Sequence, residues 1–185
     1  MLFEHWGSTA AEREAVMPGD ELIERPGMSA TRSISVAAPA EEVFGYLAQM
    51  GMGRAGWYSY DLVDNLGRRS ARRLHPEWQV EAVGDEVPAG PISFVVTDID
   101  RPRLLVIAVL DHRLPGHPID FTLAYRLTPL DGGGTRVVSR ARTRISGPLG
   151  SPATLALRVG DGIMVRRQLL GLRDRCGVPE AGALS

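Results

Sequence analysis

The sequence predicts an α+β fold in which a curved antiparallel sheet packs against one long C-terminal helix. Between residues 92 and 145, four apolar and β-branched segments are separated by turn residues and not by helical patterns. A helical apolar stripe follows over residues 151–177. The concave apolar face of such a sheet must be covered, and the terminal helix is the longest predicted element, so we expect it to lie there.

One strand and two short helices are predicted before the sheet. Thr31–Ala37 alternates polar and apolar residues, which is typical of a strand with one buried face. Pro39 is expected at the first position of a helix, whose apolar residues recur at spacings of three and four until Gly51 stops it. Asp61–Gly67 is expected to form the second short helix.

The four later strands are predicted from their apolar content and from the turn residues that bound them. They are Ile92–Ile99, Leu104–Leu110, Phe121–Thr128 and Thr135–Ile145. Asp131–Gly134 is predicted to be a hairpin turn. Asp111–Asp120 is predicted to be a loop, and its two histidines lie in the kind of segment that often carries function.

The terminal helix is expected to be capped by Ser151 and closed by Gly177, with a kink or break at Gly160-Asp161-Gly162. Residues 31–177 are predicted to form the domain. Residues 1–30, with prolines, glycines and scattered charges, are read as an extension packed on it, and residues 178–185 as a tail.

Composition indicates a single globular domain. The 185 residues are 44% hydrophobic with a net charge of −1, which gives no general attraction to nucleic acid or to a membrane. The N-terminus lacks the basic lead of an export signal, and the strongly apolar run Leu104–Leu110 is too short to span a bilayer. We therefore expect a cytoplasmic protein without stable membrane insertion.

The segment Met50–Asn65 combines glycines with aromatic side chains more densely than any other part of the chain. Tryptophan and tyrosine offer an apolar body with a polar tip, which suits the wall of a pocket for a mostly apolar molecule. The candidate ligand-binding residues are Arg54, Trp57, Tyr58, Tyr60, Trp78 and Met164. The alternative is that the rings fill the end of an ordinary core, with Arg54 and Asp61 forming fold-supporting ion pairs.

Five residues are candidates for proton transfer if the protein is an enzyme: Tyr58, Tyr60, Asp61, His75 and His112. Asp111 could hold His112, although adjacent residues at a strand end point in opposite directions. The sequence offers no set of metal ligands at a suitable spacing, and its glycine clusters lack the lysine of a phosphate loop. We therefore expect no metal and no nucleotide cofactor.

Two arginine clusters have open interpretations. Arg140, Arg142 and Arg144 alternate along one strand and so share one face, which is either an anion site in the cavity or, as we favour, the solvated convex side. The segment Arg68–Arg73, RRSARR, is expected to be exposed. It is too local for nucleic acid, but it could bind an acyl carrier protein or an anionic headgroup.

The order of elements and several segments resemble the SRPBCC superfamily, also called the START-like or helix-grip fold. The matching segments are Trp6-Gly7, PGDE (18–21), TRSISVAAPAEEVF (31–44), QMGMGRAGWYSYDLVDNLG (49–67), HPEWQ (75–79), Gly84-Asp85, and Thr135-Arg136 with Arg140 and Arg142. They cover roughly residues 5–176 and resemble most a bacterial polyketide cyclase/dehydrase-like subfamily. The resemblance implies a helix-grip fold with a cavity between sheet and helix.

The function expected from these observations is the binding of one hydrophobic or amphipathic small molecule in that cavity. Because the superfamily includes carriers, cyclases and sensors, two alternatives remain. One is a cofactor-independent enzyme of the polyketide cyclase or aromatase kind, acting in the same cavity. The other is a regulatory or partner-binding protein that uses its N-terminal extension as a lid.

Overall fold

The computed structural model describes residues 4–114, 117–146 and 150–177, which form a six-stranded antiparallel sheet with helices. The strands are β1 (Met28–Val36), β2 (Glu86–Pro88), β3 (Ser93–Asp100), β4 (Leu104–Leu114), β5 (His117–Pro129) and β6 (Thr135–Ile145). Their order in the sheet is β1-β6-β5-β4-β3-β2. The predicted hairpin at Asp131–Gly134 joins β5 to β6, whose bounds are those predicted.

Four helices accompany the sheet: α1 (Ala10–Glu14), α2 (Ala40–Ala48), α3 (Asp61–Asp64) and α4 (Gly150–Arg173). Short 3-10 turns occur at Asp20–Ile23 and Pro76–Trp78. Strand β1 and helices α2 and α3 precede the later strands, and the long helix comes last. The predicted α+β class and element order are therefore confirmed.

The concave face of the sheet and α4 share one apolar core. Alternate residues of β4, β5 and β6 turn the same way because side chains alternate along a strand. Buried side chains from both layers include Leu105, Ile107, Leu123, Val137, Leu169 and Leu172. Each such burial contributes about 1.5–3 kcal/mol, so this contact holds α4 against the sheet.

The predicted loop Asp111–Asp120 is wrong, since β4 continues to Leu114 and β5 already begins at His117. The register shifts between Val109 and His112, where Asp111 adopts a left-handed φ of 54°. The Asp111 N–H donates to Asp120 Oδ1 at 2.8 Å. An irregularity of the bulge type therefore absorbs the residues that the sequence pattern assigned to a loop.

Helix α4 also differs from its prediction. It runs unbroken through Gly160-Asp161-Gly162, and Ser151 lies inside it and does not cap it. A glycine costs a helix only about 1 kcal/mol relative to alanine, which packing can offset. The ion pair between Arg32 of β1 and Asp161, with Nη2 and Oδ2 2.8 Å apart, fixes this part of α4 to the sheet. The predicted tail, 178–185, lies outside the described residues.

Residues 9–23 cover the convex face of the sheet. Arg140 is only 5% exposed, and its guanidinium donates to Asp20 Oδ2 at 2.7 Å and to the Ala15 carbonyl at 2.8 Å. Arg136 Nε donates to Glu12 Oε1 at 2.7 Å. Arg140 therefore faces the convex side, as favoured from the sequence, and Arg142 meets the same segment through the Ile23 carbonyl and Asp20. The sequence interpretation took this face to be solvated, whereas both guanidinium groups are covered by acidic side chains and carbonyls.

The segment before α1 follows the outer edge of β1. The Ser33 N–H donates to the Trp6 carbonyl at 3.1 Å, and the Arg166 guanidinium of α4 lies 5.2 Å from the Trp6 ring centroid. No residue of the range 4–27 is among the described residues that line the cavity. The described part of the extension therefore covers the edge and the convex face of the sheet, and its use as a lid stays a prediction.

Candidate functional site

A cavity of about 720 Å³ lies between the concave face of the sheet and α4. Loop, sheet and helix all contribute to its wall. The described lining residues are Met52, Trp57, Ser59, Val63, Asp64, Ala89, Phe94, Ile119, Phe121, Leu123, Ile145, Gly160, Asp161, Met164, Val165 and Gln168. The volume falls in the range usual for small-molecule sites, roughly 300–1,000 Å³.

Three aromatic rings form a continuous part of the wall. Trp57 meets Phe94 edge to face with ring centroids 5.7 Å apart, and Phe94 is tilted against Phe121 at 5.6 Å. Such contacts fix the orientation of the rings beyond the effect of area burial alone. Met52 and Met164 add flexible thioethers, which adapt to ligands of irregular shape.

The loop that carries Trp57 is held by its own backbone and by α3. Gly51 and Gly56 exchange backbone hydrogen bonds of 3.1 and 3.0 Å. A Cβ at Gly56 would overlap Ser70 Oγ, so this position, with φ of 74°, requires glycine. Ser70 donates from its backbone N–H and its hydroxyl to Asp61 Oδ1. Asp61, a predicted proton-transfer residue, is thus engaged in supporting the loop.

Tyr58 points away from the cavity into the core. Its backbone is left-handed, with φ of 59°, which is rare for an aromatic residue. Its hydroxyl donates to the Tyr46 carbonyl at 2.8 Å and accepts from Gln49 Nε2 at 3.0 Å. Burial raises the pKa of this phenol. The twist leaves both neighbours, Trp57 and Ser59, on the cavity wall.

Of the other predicted ligand-binding residues, some line the cavity and some lie elsewhere. Met164 lines the cavity, whereas Arg54, Trp78 and Tyr60 are not among its described lining residues. Arg54 donates to the carbonyls of Trp78, at 3.3 Å, and Glu86. Tyr60 is 46% exposed. The structure therefore brings Trp57 and Met164 together at the cavity and leaves the others in supporting or surface positions.

The predicted histidines also lie elsewhere. His75 stacks on Trp78 with ring centroids 4.0 Å apart, and its Nδ1 lies 3.1 Å from Glu77 Oε1. His112 is on β4, paired with Ile119 of β5. Neither histidine is among the described lining residues. A role in proton transfer inside the cavity stays a prediction without a contact to support it.

An ion pair at the cavity was not predicted from the sequence. Arg32 and Asp161 are almost fully buried, with side chains 0% and 4% exposed, and Asp161 lines the cavity. Burial raises the pKa of Asp161, and the nearby Arg32 guanidinium opposes that shift. The burial of Arg32 could have been predicted from the sequence, because Arg32 alternates with Ile34 and Val36 and so shares their buried face.

Gln168 is a satisfied polar group in the wall. The Tyr125 hydroxyl donates to Gln168 Oε1 at 2.8 Å, and Gln168 Nε2 lies 3.3 Å from Met50 Sδ. These contacts fix both ends of the amide. Gln168 therefore closes part of the wall in a fixed orientation, with one N–H and one carbonyl lone pair beyond these two contacts.

Among the described lining residues, Ser59 and Asp64 carry buried polar atoms with neither a hydrogen bond nor an ion pair in the protein. Ser59 Oγ and both carboxylate oxygens of Asp64 are buried without a hydrogen bond of acceptable geometry. Burial raises the pKa of Asp64, the neighbouring Asp61 raises it further, and nearby backbone amides offset part of the shift. Unsatisfied buried polar groups are uncommon in proteins, so this pair is unusual.

Within the described ranges, no group of three or more histidine, cysteine, aspartate or glutamate side chains is placed to hold a metal ion. Among the described helices, none combines the length and apolar character needed to cross a bilayer.

The curved sheet, the long closing helix and the cavity between them define a helix-grip protein of the SRPBCC superfamily. The chain belongs to the family described as "Polyketide cyclase / dehydrase and lipid transport", whose model matches residues 28–177. The predicted superfamily is confirmed. No similar protein is found among curated proteins.

Solved structures with a similar fold come from several bacteria. Protein MLL2253 from Mesorhizobium loti is 15% identical with a TM-score of 0.50, over 82% of this chain and 100% of that one. Hypothetical protein jhp0584 from Helicobacter pylori is 10% identical with a TM-score of 0.52, over 86% and 94%. The Zhui aromatase/cyclase of a Streptomyces species is 16% identical with a TM-score of 0.45, over 80% and 92%. At these identities the first two show a shared fold.

Proposed function

We propose that this protein binds one hydrophobic or amphipathic small molecule in the cavity between the sheet and α4. The observation that carries the proposal is the cavity itself, about 720 Å³ with a mostly apolar described wall. The aromatic rings of Trp57, Phe94 and Phe121 offer a ligand large rigid surfaces. The family description, which includes lipid transport, agrees with such a ligand.

The test is to fill the cavity from one side. Met164 lines the cavity on α4, so Met164→Trp would occupy part of its volume. Ile163 is the next residue on the same helix, is 42% exposed and does not line the cavity, so Ile163→Trp is a matched control. Compounds that co-purify with the wild type would be identified by mass spectrometry and added back in thermal unfolding assays.

We expect an added compound to raise the melting temperature of the wild type and of Ile163→Trp, and to raise that of Met164→Trp much less. Equal shifts in all three proteins would show that binding does not use the cavity. Failure of every apolar compound to shift the wild type would count against the proposal itself.

An enzyme of the cyclase or dehydratase kind is the second candidate. The observation that favours it is Asp64, a buried cavity carboxyl whose raised pKa suits a group that gives or takes a proton. None of the five residues predicted for proton transfer is among the described lining residues: Tyr58, Tyr60, Asp61, His75 and His112. A ligand recovered chemically changed after incubation with the wild type, but unchanged after incubation with Asp64→Asn, would favour the enzyme.

An enzyme of this kind could receive its substrate attached to an acyl carrier protein, which the arginines of the segment Arg68–Arg73 would bind. The side chains of Arg68, Arg69, Arg72 and Arg73 are exposed. Their backbone is held in place, for example by the Tyr46 hydroxyl, which donates to the Arg72 carbonyl at 2.9 Å. An acidic acyl carrier protein that binds the wild type and not the Arg68→Glu/Arg72→Glu variant would support it. Equal binding to both proteins would contradict it.

A further inference from the structure

Among the described lining residues, some polar side chains are held by hydrogen bonds or ion pairs within the protein and others are not. Asp161 is paired with Arg32 at 2.8 Å, and Gln168 is held by Tyr125 at 2.8 Å. Ser59 Oγ and the two Asp64 oxygens have no protein hydrogen bond of acceptable geometry. Among the described lining residues, the buried polar groups with neither a hydrogen bond nor an ion pair in the protein are therefore one hydroxyl and one carboxyl.

Asp64 is nine-tenths buried, since its residue is only 6% exposed, yet it borders the cavity. It lies at the end of α3, and Ser59 lies in the loop just before that helix. A buried carboxyl without a partner is unfavourable in either protonation state, and most unfavourable when ionised. A ligand that donates a hydrogen bond and carries positive charge would supply the missing hydrogen bond and would also balance the buried negative charge.

The charges around the cavity point the same way. No arginine, lysine or histidine is among the described residues that line it. Arg32 lies behind the wall, where its guanidinium is already paired with the lining residue Asp161. A carboxylate ligand, such as a fatty acid, would therefore face Asp64 without a cation among the described lining residues to balance it.

The aromatic wall is compatible with a cation as well. The faces of tryptophan and phenylalanine rings attract ammonium groups, and Trp57, Phe94 and Phe121 all line the cavity. The same rings accommodate a flat apolar body. A single ligand with an apolar body and an amine would use both the rings and Asp64.

We infer that the cavity selects a lipophilic amine, with the ammonium group bound by Asp64 and Ser59 and the apolar body against the aromatic wall. This inference rests on the proposed binding function and specifies the class of ligand. It assigns to Ser59 and Asp64 a role in specificity, while the apolar residues supply the binding of any hydrophobic body.

The test compares three compounds with one skeleton: 2-(1-naphthyl)ethylamine, 2-(1-naphthyl)ethanol and 1-naphthaleneacetate. Their dissociation constants would be measured by calorimetry for the wild type, Asp64→Asn and the control Asp131→Asn, which changes an exposed carboxylate in the β5–β6 turn. The alcohol reports whether the cavity is intact, because its binding does not require the charge of Asp64.

In the wild type we expect the amine to bind about tenfold tighter than the alcohol, since a charge-assisted hydrogen bond is stronger than a neutral one. The acetate should bind more weakly than the alcohol. Asp64→Asn should remove the preference for the amine and keep the affinity for the alcohol, whereas Asp131→Asn should change neither.

An amine that binds wild type no tighter than the alcohol, or a preference that survives Asp64→Asn, would overturn the inference and leave the proposed function standing. Loss of alcohol binding in Asp64→Asn would also overturn it, because Asp64 would then support the cavity and not select the ligand. If none of the three compounds binds the wild type, the inference fails, and the proposed function is decided by the thermal unfolding test with the co-purified compounds.

Discussion

Arg32 Nη2 and Asp161 Oδ2 lie 2.8 Å apart and join the edge strand β1 to the middle of α4 inside the protein. Removing one partner of a buried ion pair leaves a charge uncompensated, which costs about 3–5 kcal/mol. We expect Asp161→Leu to lower the free energy of unfolding, measured in urea, by about that amount. The double variant Arg32→Met/Asp161→Leu should recover most of the loss.

An Asp161→Leu protein as stable as the wild type would show that this pair does not hold α4. A double variant no more stable than Asp161→Leu would show that burial of the charge is not the cause of the loss.

Helix α4 passes close to the backbone of Tyr58 at Gly171. A Cβ on this residue would overlap the Tyr58 carbonyl oxygen, whereas one on Gly160 would meet nothing within 4 Å. We expect Gly171→Ala to destabilise the protein by roughly 1–3 kcal/mol through overpacking. Gly160→Ala, the control in the same helix, should stabilise it by up to about 1 kcal/mol. Thermal unfolding of both variants measures the two changes in stability. Equal changes would contradict the prediction that only Gly171 is tightly packed.

Glu12 should make stability depend on pH in the acid range. Its hydrogen bonds with Arg136 lower its pKa from 4.5 to about 2, although burial opposes the shift. Because the folded pKa is the lower one, the stabilisation is full above about pH 4.5 and is lost as the pH falls towards 2. Urea unfolding between these pH values should show a steeper loss for the wild type than for Glu12→Gln.

The control for this measurement is Glu14→Gln, which changes an exposed glutamate of the same helix. It should follow the wild-type pH dependence. A Glu12→Gln protein that also follows it would show that the contact with Arg136 does not depend on ionisation.

Tyr58 should matter for stability and not for ligand binding. Tyr58→Phe removes the hydroxyl that donates to the Tyr46 carbonyl at 2.8 Å and accepts from Gln49 Nε2 at 3.0 Å, so two hydrogen bonds in the core are lost. We expect a loss of about 1–3 kcal/mol in the free energy of unfolding. The dissociation constant of 2-(1-naphthyl)ethanol should stay unchanged, because Tyr58 is not among the described lining residues. If Tyr58→Phe bound this alcohol more weakly but were as stable as the wild type, Tyr58 would have to be a ligand-binding residue.

Much of the fold could be predicted because apolar periodicity and turn residues are local signals. Thr135–Ile145 was predicted with the bounds observed, since β-branched residues and the glycine turn before it mark the strand clearly. The extension of β4 and β5 was missed because the Asp111 irregularity breaks the alternation on which the prediction depends. The three-residue strand β2 is too short to show a period.

The site was harder to predict, because it depends on which way each side chain turns. Trp57 and Tyr58 look alike as pocket residues, and the positive φ of Tyr58 separates them. Asp64 looked like an ordinary helix residue, and only its tertiary position leaves it unpartnered at the cavity. Arg32 could have been noticed from the sequence, as a charge on the buried face of β1.

The cover on the convex face has a practical consequence for anyone shortening this protein. A fragment cut to the family match, 28–177, would keep every described cavity residue and still lack Glu12 and Asp20. The guanidinium groups of Arg136 and Arg140 would lose their counter-charges, and Val106 would lose its packing against Met17. Such a truncation is a poor choice for expression, even though its boundaries look natural.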